Sequence, residues 1–408
     1  MSQRGFGSSV FVTLLIQALL LGTTAARGCF ASPPIALRPS TGSGVCGVLI
    51  DDDAAPSLGG YSPWTHAPSC HFSAAKPGKK FCTYTNSRHG ARGVSILTTP
   101  ESVANNVDML NEFISAPPRD RLPYKIVEVP GKGMGVVALR RFRRYEQIML
   151  DYATLLVDIS FASEIPAQQG YRLLHLAVDQ LSEPRSVLDL GQSNSMARDA
   201  VENVLRTNAF HTIVGGEPHM ALYPDVSRIN HACKPNAYTR FIPKSQQVSV
   251  AAAKDIEPGE EITISYITLG QTYPERKEAL QLWGFNCTCN LCMSSPAQVA
   301  ASDERRRQIA DLRSEAIGAF QTGRSYQALR ITRQVVNLLP AEELFPLYSE
   351  QYENMARVYF VLRDREKAEK YAKLSLDVLA EQGYIDRVRP ELLEKMWTRF
   401  ADEQAGRV

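Results

Sequence analysis

Three cysteines within six residues impose the strongest constraint on how this chain folds. Residues 287–292 read CTCNLC, so three thiols lie on one short segment. A structural zinc ion takes four thiolate or imidazole ligands at the corners of a tetrahedron, and this segment supplies only three of them. The fourth ligand must therefore come from a distant part of the chain, unless the cysteines are unrelated buried thiols.

The candidates for the fourth ligand lie in the sequence RINHACKPNA, residues 228–237. Cys233 is the first candidate, because a fourth thiolate completes a set of equal ligands. His231 competes with it, since an imidazole serves zinc equally well. Either assignment requires a fold that brings this stretch against the 287–292 segment.

The charge balance excludes some classes of partner. The 408 residues include 45 Lys and Arg and 43 Asp and Glu, which leaves a net charge of +2. So small a charge provides no general attraction to nucleic acid or to an acidic membrane, and we expect no direct contact with nucleic acid. The local basic run ALRRFRRYEQ (138–147) is either a contact for an acidic partner or a solvated strand end.

The first 26 residues have the composition of a targeting segment. A basic residue at Arg4 precedes the apolar run VFVTLLIQALLLG (10–22), and small residues follow up to Ala26. This order is typical of a secretory signal peptide, with a mitochondrial presequence or a misassigned start as alternatives. The run is short for a membrane span, and no other stretch is apolar enough to be one. In an oxidising compartment Cys29, Cys46, Cys70 and Cys82 would form two disulfides, with three connectivities open.

The remaining sequence divides into regions that differ in composition and in hydrophobic periodicity. Residues 27–118 are rich in Pro, Gly, Ser and Ala, which predicts a low-complexity, poorly ordered region with a short helix at 101–115. Short strand patterns follow, including a hairpin around PGKGMG (130–135), and a helical insertion covers 168–210. After Ser302 the pattern is helical, and 319–339 parallels 359–379 in the manner of tetratricopeptide repeats. The predicted fold class is therefore α+β, strand-rich with a helical insertion, and all-α at its C-terminal end.

Four motifs together resemble a known family. GKGMG, NHACKPN, EEITISY and FNCTCNLC occur in the order and rough spacing of SET-domain protein lysine methyltransferases with a post-SET zinc knuckle. The chain is most similar to the SMYD branch and its fungal relatives. The resemblance covers 122–294 and, more loosely, 303–400. It implies a SET domain at 119–268, a post-SET zinc knuckle at 269–294 and a helical, TPR-like region at 303–400.

The resemblance also implies the residues of the site. It assigns structural zinc (Zn2+) to Cys233 together with the three clustered cysteines, and it assigns catalysis to one tyrosine, Tyr266. The cysteines are Cys287, Cys289 and Cys292. The implied contacts with the cofactor S-adenosylmethionine are Lys132, Gly133, Met134, Asn208, Asn230, His231, Tyr266 and Phe285.

The implied function is methyl transfer from S-adenosylmethionine to the amine of a protein lysine, histone or non-histone. The implied partners are a protein substrate carrying that lysine and a protein bound by the C-terminal helices. Two alternatives remain open on the residues alone. One is a catalytically inactive SET and helical-repeat module that only binds protein, and the other is a methyltransferase acting on a non-protein amine.

Some positions depart from the family pattern. Ala232 replaces the usual Ser, Ser265 stands where many relatives have Asp, and the 155–205 insertion contains no cysteine, so the MYND zinc module is missing. SET chemistry favours the nucleus or cytoplasm, in conflict with the secretory signal. A glycosylation sequon begins at Asn286 inside the knuckle, which deepens that conflict.

Overall fold

A computed structural model describes residues 62–104, 121–192, 197–242, 245–382 and 390–406. The signal-like segment, two of the eight cysteines (Cys29 and Cys46) and most of the helix predicted at 101–115 lie outside these ranges. Within them that helix is seen only as α1, Pro100–Ala104. No helix in the described ranges is both long and apolar enough to cross a bilayer.

The strands of the described residues form three sheets. Their bounds are Ser69–Phe72 (β1), Lys80–Asn86 (β2), Val94–Thr98 (β3), Tyr124–Val129 (β4), Gly133–Ala138 (β5), Gln147–Tyr152 (β6), Leu155–Asp158 (β7), Phe210–Val214 (β8), Glu217–Leu222 (β9), Asn230–His231 (β10), Ala237–Ile242 (β11), Gln247–Ala252 (β12) and Glu261–Ile264 (β13). The sheet orders are β1-β2-β3-β7-β9-β8, β10-β13-β5-β4 and β11-β12-β6.

The six-stranded sheet begins earlier in the chain than the sequence predicts. Strands β1, β2 and β3 fall within 27–118, the region predicted to be poorly ordered, and that prediction is wrong for them. Strand β3 pairs in parallel with β7, so this segment belongs to the same sheet as residues after 119. All five residues of β3 are buried, so the strand lacks the polar–apolar alternation that would reveal it in the sequence.

The first two strands are joined covalently. Cys70 of β1 lies directly opposite Cys82 of β2 in the antiparallel register, and the two form a disulfide. The sequence left three connectivities open, and this disulfide agrees with the one that pairs Cys70 with Cys82.

The two smaller sheets carry the motifs of the site. In the four-stranded sheet, β4 and β5 form the hairpin around the glycine-rich turn, and β13 pairs antiparallel with β5 and in parallel with β10. The three-stranded sheet packs on the same apolar core, which includes Val136, Phe142, Val250, Ile262 and Ile264. Burial of these large side chains fixes β5 and β13 as rigid supports for the residues at their ends.

Helices cover one face of the six-stranded sheet. They are α2 (Phe161–Glu164), α3 (Ala167–Asp179), α4 (Arg185–Leu188) and α5 (Ala200–Asn208). Buried Leu173, Leu174 and Val201 pack here against strand residues such as Leu97 and Leu155. The helical insertion predicted at 168–210 is therefore confirmed.

Helix α6 (Tyr273–Leu280) precedes the cysteine segment, and the described residues after that segment form a helical C-terminal region. Its helices are α7 (Pro296–Gln321), α8 (Ser325–Leu338), α9 (Tyr348–Val361), α10 (Arg365–Glu381) and α11 (Pro390–Gln404). The predicted repeat corresponds to two helical hairpins, α7–α8 and α9–α10, in which the matched residues Ala328 and Ala368 are both buried. The α+β fold class with an all-α C-terminal part is thus confirmed.

A buried carboxylate joins the helical region to the loop after β10. Glu342, in the 3-10 turn Leu339–Glu342, is 1% exposed and accepts hydrogen bonds from Ser302, Arg305 and Arg306 of α7. Arg306 also donates to the Cys233 carbonyl at 3.4 Å. We call Glu342 and its three donors the Glu342 hub. It ties the C-terminal helices to the backbone of a predicted zinc ligand.

Candidate active site and metal centre

The four predicted zinc ligands meet in space. The sulfur atoms of Cys233, Cys287, Cys289 and Cys292 all lie within 4.8 Å of one another. Cys233 Sγ is 3.6 Å from Cys292 Sγ and 3.8 Å from Cys287 Sγ. A tetrahedral site with Zn–S distances of about 2.3 Å has sulfur–sulfur edges of about 3.8 Å. The donor set therefore fits a structural zinc ion.

Hydrogen bonds hold the loop that carries Cys233. The Ala232 amide donates to the Ile264 carbonyl at 2.9 Å. The Asn236 side chain accepts from the Thr263 amide at 2.7 Å and donates to the Glu261 carbonyl at 2.9 Å. Asn236, the second Asn of NHACKPN, thus acts as a clamp that fastens the loop to β13. The sequence motif therefore has a structural role in addition to the binding role predicted for it.

The His231 ring is engaged at both nitrogens. Nδ1 accepts a hydrogen bond from the Tyr266 backbone amide at 3.0 Å, so the proton of the neutral ring is on Nε2. Nε2 lies 3.3 Å from Cys233 Sγ, where it donates to the sulfur. Burial lowers the pKa of His231 to about 4, which keeps the ring neutral. The ring therefore supports the metal centre and the tyrosine, and it has no free nitrogen for zinc or for a cofactor.

Tyr266 is held beside the start of β10. Its hydroxyl donates to the Ile229 carbonyl at 2.6 Å. Burial raises the pKa of Tyr266 above the usual range of a phenol, and the nearby Glu261 carboxylate adds to the effect. The hydroxyl is therefore protonated at neutral pH, with its hydrogen directed at the carbonyl and its lone pairs directed elsewhere.

An aromatic wall surrounds Tyr266. Its ring centroid lies 5.4 Å from His231, 5.9 Å from Trp283 and 6.3 Å from Phe285. Phe285 is 37% exposed, so one side of the wall is open to a ligand. Trp283 was not predicted as a site residue from the sequence. Its only signal is the sequence WGF, in which Gly284 turns the chain with a positive φ of 72° and brings both rings to the same side.

The glycine-rich turn joins β4 to β5, the strand that pairs with β13. Gly131 and Gly133 both have φ of 72°, a conformation that favours glycine. Met134, the second residue of β5, is 42% exposed. The Lys132 ammonium donates to Glu261 at 2.6 Å, and the Asn230 amide donates to the other oxygen of the same carboxylate at 2.9 Å. Glu261, which sequence reasoning also missed, therefore joins two residues predicted to contact the cofactor.

Asn208 stands apart from the other predicted contacts. It ends α5, and its side-chain amide donates to the Gly191 and Val204 carbonyls at 2.7 and 2.8 Å. Its own carbonyl accepts from Ser227, three residues before Asn230, at 3.3 Å. The Asn208 side chain thus supports a neighbouring loop, and its contact with a cofactor stays a prediction.

Known proteins resemble the part of the chain that carries this site. Residues 133–267 match the SET domain family. The histone-lysine N-methyltransferase set5 of Schizosaccharomyces pombe is 32% identical over 189 residues, which are 46% of this chain and 56% of that protein.

Two animal proteins are similar over a shorter stretch. The N-lysine methyltransferase SMYD2-B of Danio rerio is 35% identical over 89 residues, 22% of this chain and 20% of its own length. The histone-lysine N-methyltransferase SMYD3 of Homo sapiens is 35% identical over 92 residues, 22% of this chain and 21% of its own length. The chain thus spans little more than half of set5 and about a fifth of the other two.

Proposed function

Because this chain carries a SET domain of the SMYD-like kind, we propose that it is an S-adenosylmethionine-dependent protein-lysine N-methyltransferase. The observation that carries the proposal is the arrangement around Tyr266. Its hydroxyl and the Ile229 carbonyl, 2.6 Å apart, lie beside Asn230 and an aromatic wall that is open at Phe285.

The cofactor would supply an electrophilic methyl group on a sulfonium ion. We assign its amino-acid end to Asn230 and to the backbone of the turn at Lys132–Met134, and its adenine to the exposed face of Phe285. Phe285 is 37% exposed and Met134 is 42% exposed, so both side chains are accessible to a ligand, which supports this assignment. Because both His231 nitrogens are engaged, that residue would contact the cofactor only through carbon or backbone atoms.

Tyr266 and Ile229 would align the substrate amine. A lysine ammonium has no lone pair, so it must lose a proton before it attacks. An apolar aromatic surrounding lowers the pKa of a lysine, which favours the neutral amine. The two oxygen atoms present lone pairs that accept the remaining N–H bonds and hold the nitrogen in line. Alignment of this kind lowers the barrier mainly through entropy.

Zinc would act on structure and not on chemistry. The knuckle that bears Cys287 follows directly on Trp283 and Phe285, so folding of the four-cysteine site fixes two sides of the aromatic wall. Metal binding of this type contributes directly to the folding free energy of small segments.

The experiment uses the full chain, radiolabelled S-adenosylmethionine and a cell lysate. We expect label in protein, and in acid hydrolysates as methyl-lysine. Tyr266→Phe should lower the turnover number by about tenfold or more, since it removes one aligning oxygen. Tyr273→Phe, a tyrosine at the exposed start of α6, is the matched control and should behave as wild type. Cofactor binding without any transfer would favour the protein-binding alternative, and absence of both would refute the proposal.

We propose that the substrate is a protein bearing the target lysine and that the hairpins of the C-terminal region offer a surface for a further protein. We place the activity in the nucleus or cytoplasm, where reduced thiols are available for zinc. The Cys70–Cys82 disulfide favours an oxidising compartment instead. Peptide mapping of the cellular protein, alkylated at lysis, decides between them: alkylated Cys70 and Cys82 support the reducing compartments, and a bridged peptide opposes them.

A further inference from the structure

We propose that Glu261 is a positioning residue that fixes the orientation of the Asn230 side chain toward the amino-acid end of the cofactor. The inference rests on the proposed function, because it concerns the same site. Glu261 would act through Asn230 and without touching either the cofactor or the lysine.

Glu261 lies where three segments of the site converge. It is the first residue of β13 and pairs with Val137 of β5. Its Oε1 accepts from Asn230 Nδ2 of β10 at 2.9 Å, and its Oε2 accepts from Lys132 Nζ of the glycine-rich turn at 2.6 Å. The side chains of Lys132 and Glu261 are only 25% and 19% exposed, so both contacts are partly shielded from water.

The chemistry of a carboxylate sets the orientation of the amide. An asparagine side chain has a donor end and an acceptor end, whereas an ionised carboxylate only accepts. Asn230 must therefore direct Nδ2 at Glu261, and its Oδ1 is directed to the opposite side. Among the described residues, no hydrogen bond to that Oδ1 is present. The oxygen is thus left to accept a bond from a ligand, and the ammonium of an amino-acid group is the matching donor.

Packing brings the Asn230–Glu261 pair close against the backbone of Gly135. A Cβ atom placed on Gly135 would lie 2.8 Å from Asn230 Nδ2, 3.2 Å from Glu261 Oε1 and 2.5 Å from Val129 Cγ2. The bare backbone of Gly135 therefore forms the floor against which the Asn230–Glu261 pair lies. The ammonium of Lys132 balances the charge of the carboxylate from the other side.

The test compares two ligands by calorimetry. S-adenosylhomocysteine contains the amino-acid group, whereas 5′-methylthioadenosine lacks it. Glu261→Gln keeps the shape of the side chain, but the amide now has a donor that allows Asn230 to turn over. We expect the dissociation constant of S-adenosylhomocysteine to rise about tenfold, as for loss of one hydrogen bond to a charged group, and that of 5′-methylthioadenosine to change less than twofold.

Glu260→Gln is the matched control. Glu260 is the preceding residue and is exposed, and its side chain accepts from the Glu257 amide in the turn before β13. Both dissociation constants should stay at the wild-type values in this variant. Asn230→Ala and the double variant Asn230→Ala/Glu261→Gln should bind S-adenosylhomocysteine equally, because Glu261 has nothing left to orient once the amide is removed.

Several results would overturn the inference. Unchanged binding of S-adenosylhomocysteine to Glu261→Gln would do so, and so would equal weakening of both ligands, which indicates a merely structural role. If Glu261→Gln does not fold, Glu261→Asp provides the test: it keeps the charge but is too short to span both partners, and it must show the same selective loss. Wild-type protein that binds neither ligand would refute the proposed function itself.

Discussion

The Glu342 hub makes a quantitative prediction about stability. The Glu342 side chain is fully inaccessible, and it accepts hydrogen bonds from Ser302 at 2.6 Å and from Arg305 and Arg306 at 2.8 Å each. Glu342→Ala removes the acceptor and leaves Arg306, which is 1% exposed, without its carboxylate. Breaking a buried ion pair by removing one partner costs about 3–5 kcal/mol, and we expect the free energy of unfolding to fall by that amount.

Urea denaturation of the full chain, followed by far-UV circular dichroism, measures the effect. The matched control is Glu343→Gln. Glu343 is the next residue, and its ion pair with Lys254 at 2.9 Å lies at the surface, so the loss should be under about 1 kcal/mol. A Glu342→Ala variant within about 1 kcal/mol of wild type would refute the reasoning, because it would mean that Arg306 does not depend on the carboxylate.

The hub also predicts how stability depends on pH. Burial alone raises the pKa of Glu342, but hydrogen bonds from Ser302, Arg306 and Arg305 outweigh it, and the pKa lies below its ordinary value of 4.5. A carboxylate with a lowered pKa in the folded state stabilises the protein above its unfolded pKa and loses that contribution as the pH falls through the folded value. The difference in the free energy of unfolding between wild type and Glu342→Gln should therefore reach its maximum above about pH 5 and decrease below pH 4.5.

Two further predictions concern the metal centre and the floor of the Asn230 pair. Cys233→Ser should lose the zinc that wild-type protein retains on dialysis, whereas His231→Ala should keep it. Plasma emission spectroscopy measures the ratio of zinc to protein chain. Zinc retained in Cys233→Ser and lost in His231→Ala would make His231 the ligand. Gly135→Ala should lower the free energy of unfolding by about 1–3 kcal/mol through overpacking and weaken S-adenosylhomocysteine binding. Gly318→Ala in α7, where a Cβ meets nothing within 4 Å, should instead leave stability equal or raise it, and equal effects at both glycines would contradict the packing argument.

Local chemistry explains what was readable in the sequence. The CTCNLC segment predicts metal ligation because ligand type and spacing are local properties. The residues alone left Cys233 and His231 open as the fourth ligand, and the family resemblance favoured Cys233. The hairpins of α7–α10 follow from helical periodicity, which each helix displays by itself. The motif order predicts the match of residues 133–267 to the SET domain family, because the glycine turn, the NHACKPN loop and the segment ending in Tyr266 each have a local signature.

Long-range pairing decided the rest. Strand β3 gave no signal because both of its faces are covered, and its partner β7 lies beyond an intervening hairpin, so only the assembled sheet defines it. Glu261 in PGEEIT looks like an ordinary charged residue before a strand; it becomes part of the site only because the register of β13 against β5 and β10 brings Lys132 and Asn230 to its two oxygens. Glu342 looks solvated in the sequence and becomes a buried hub only when α7 packs over it. Ion-pair partners that lie far apart in the sequence leave no local pattern, because the energy of such a pair depends on distance and burial, and both of these belong to the tertiary structure.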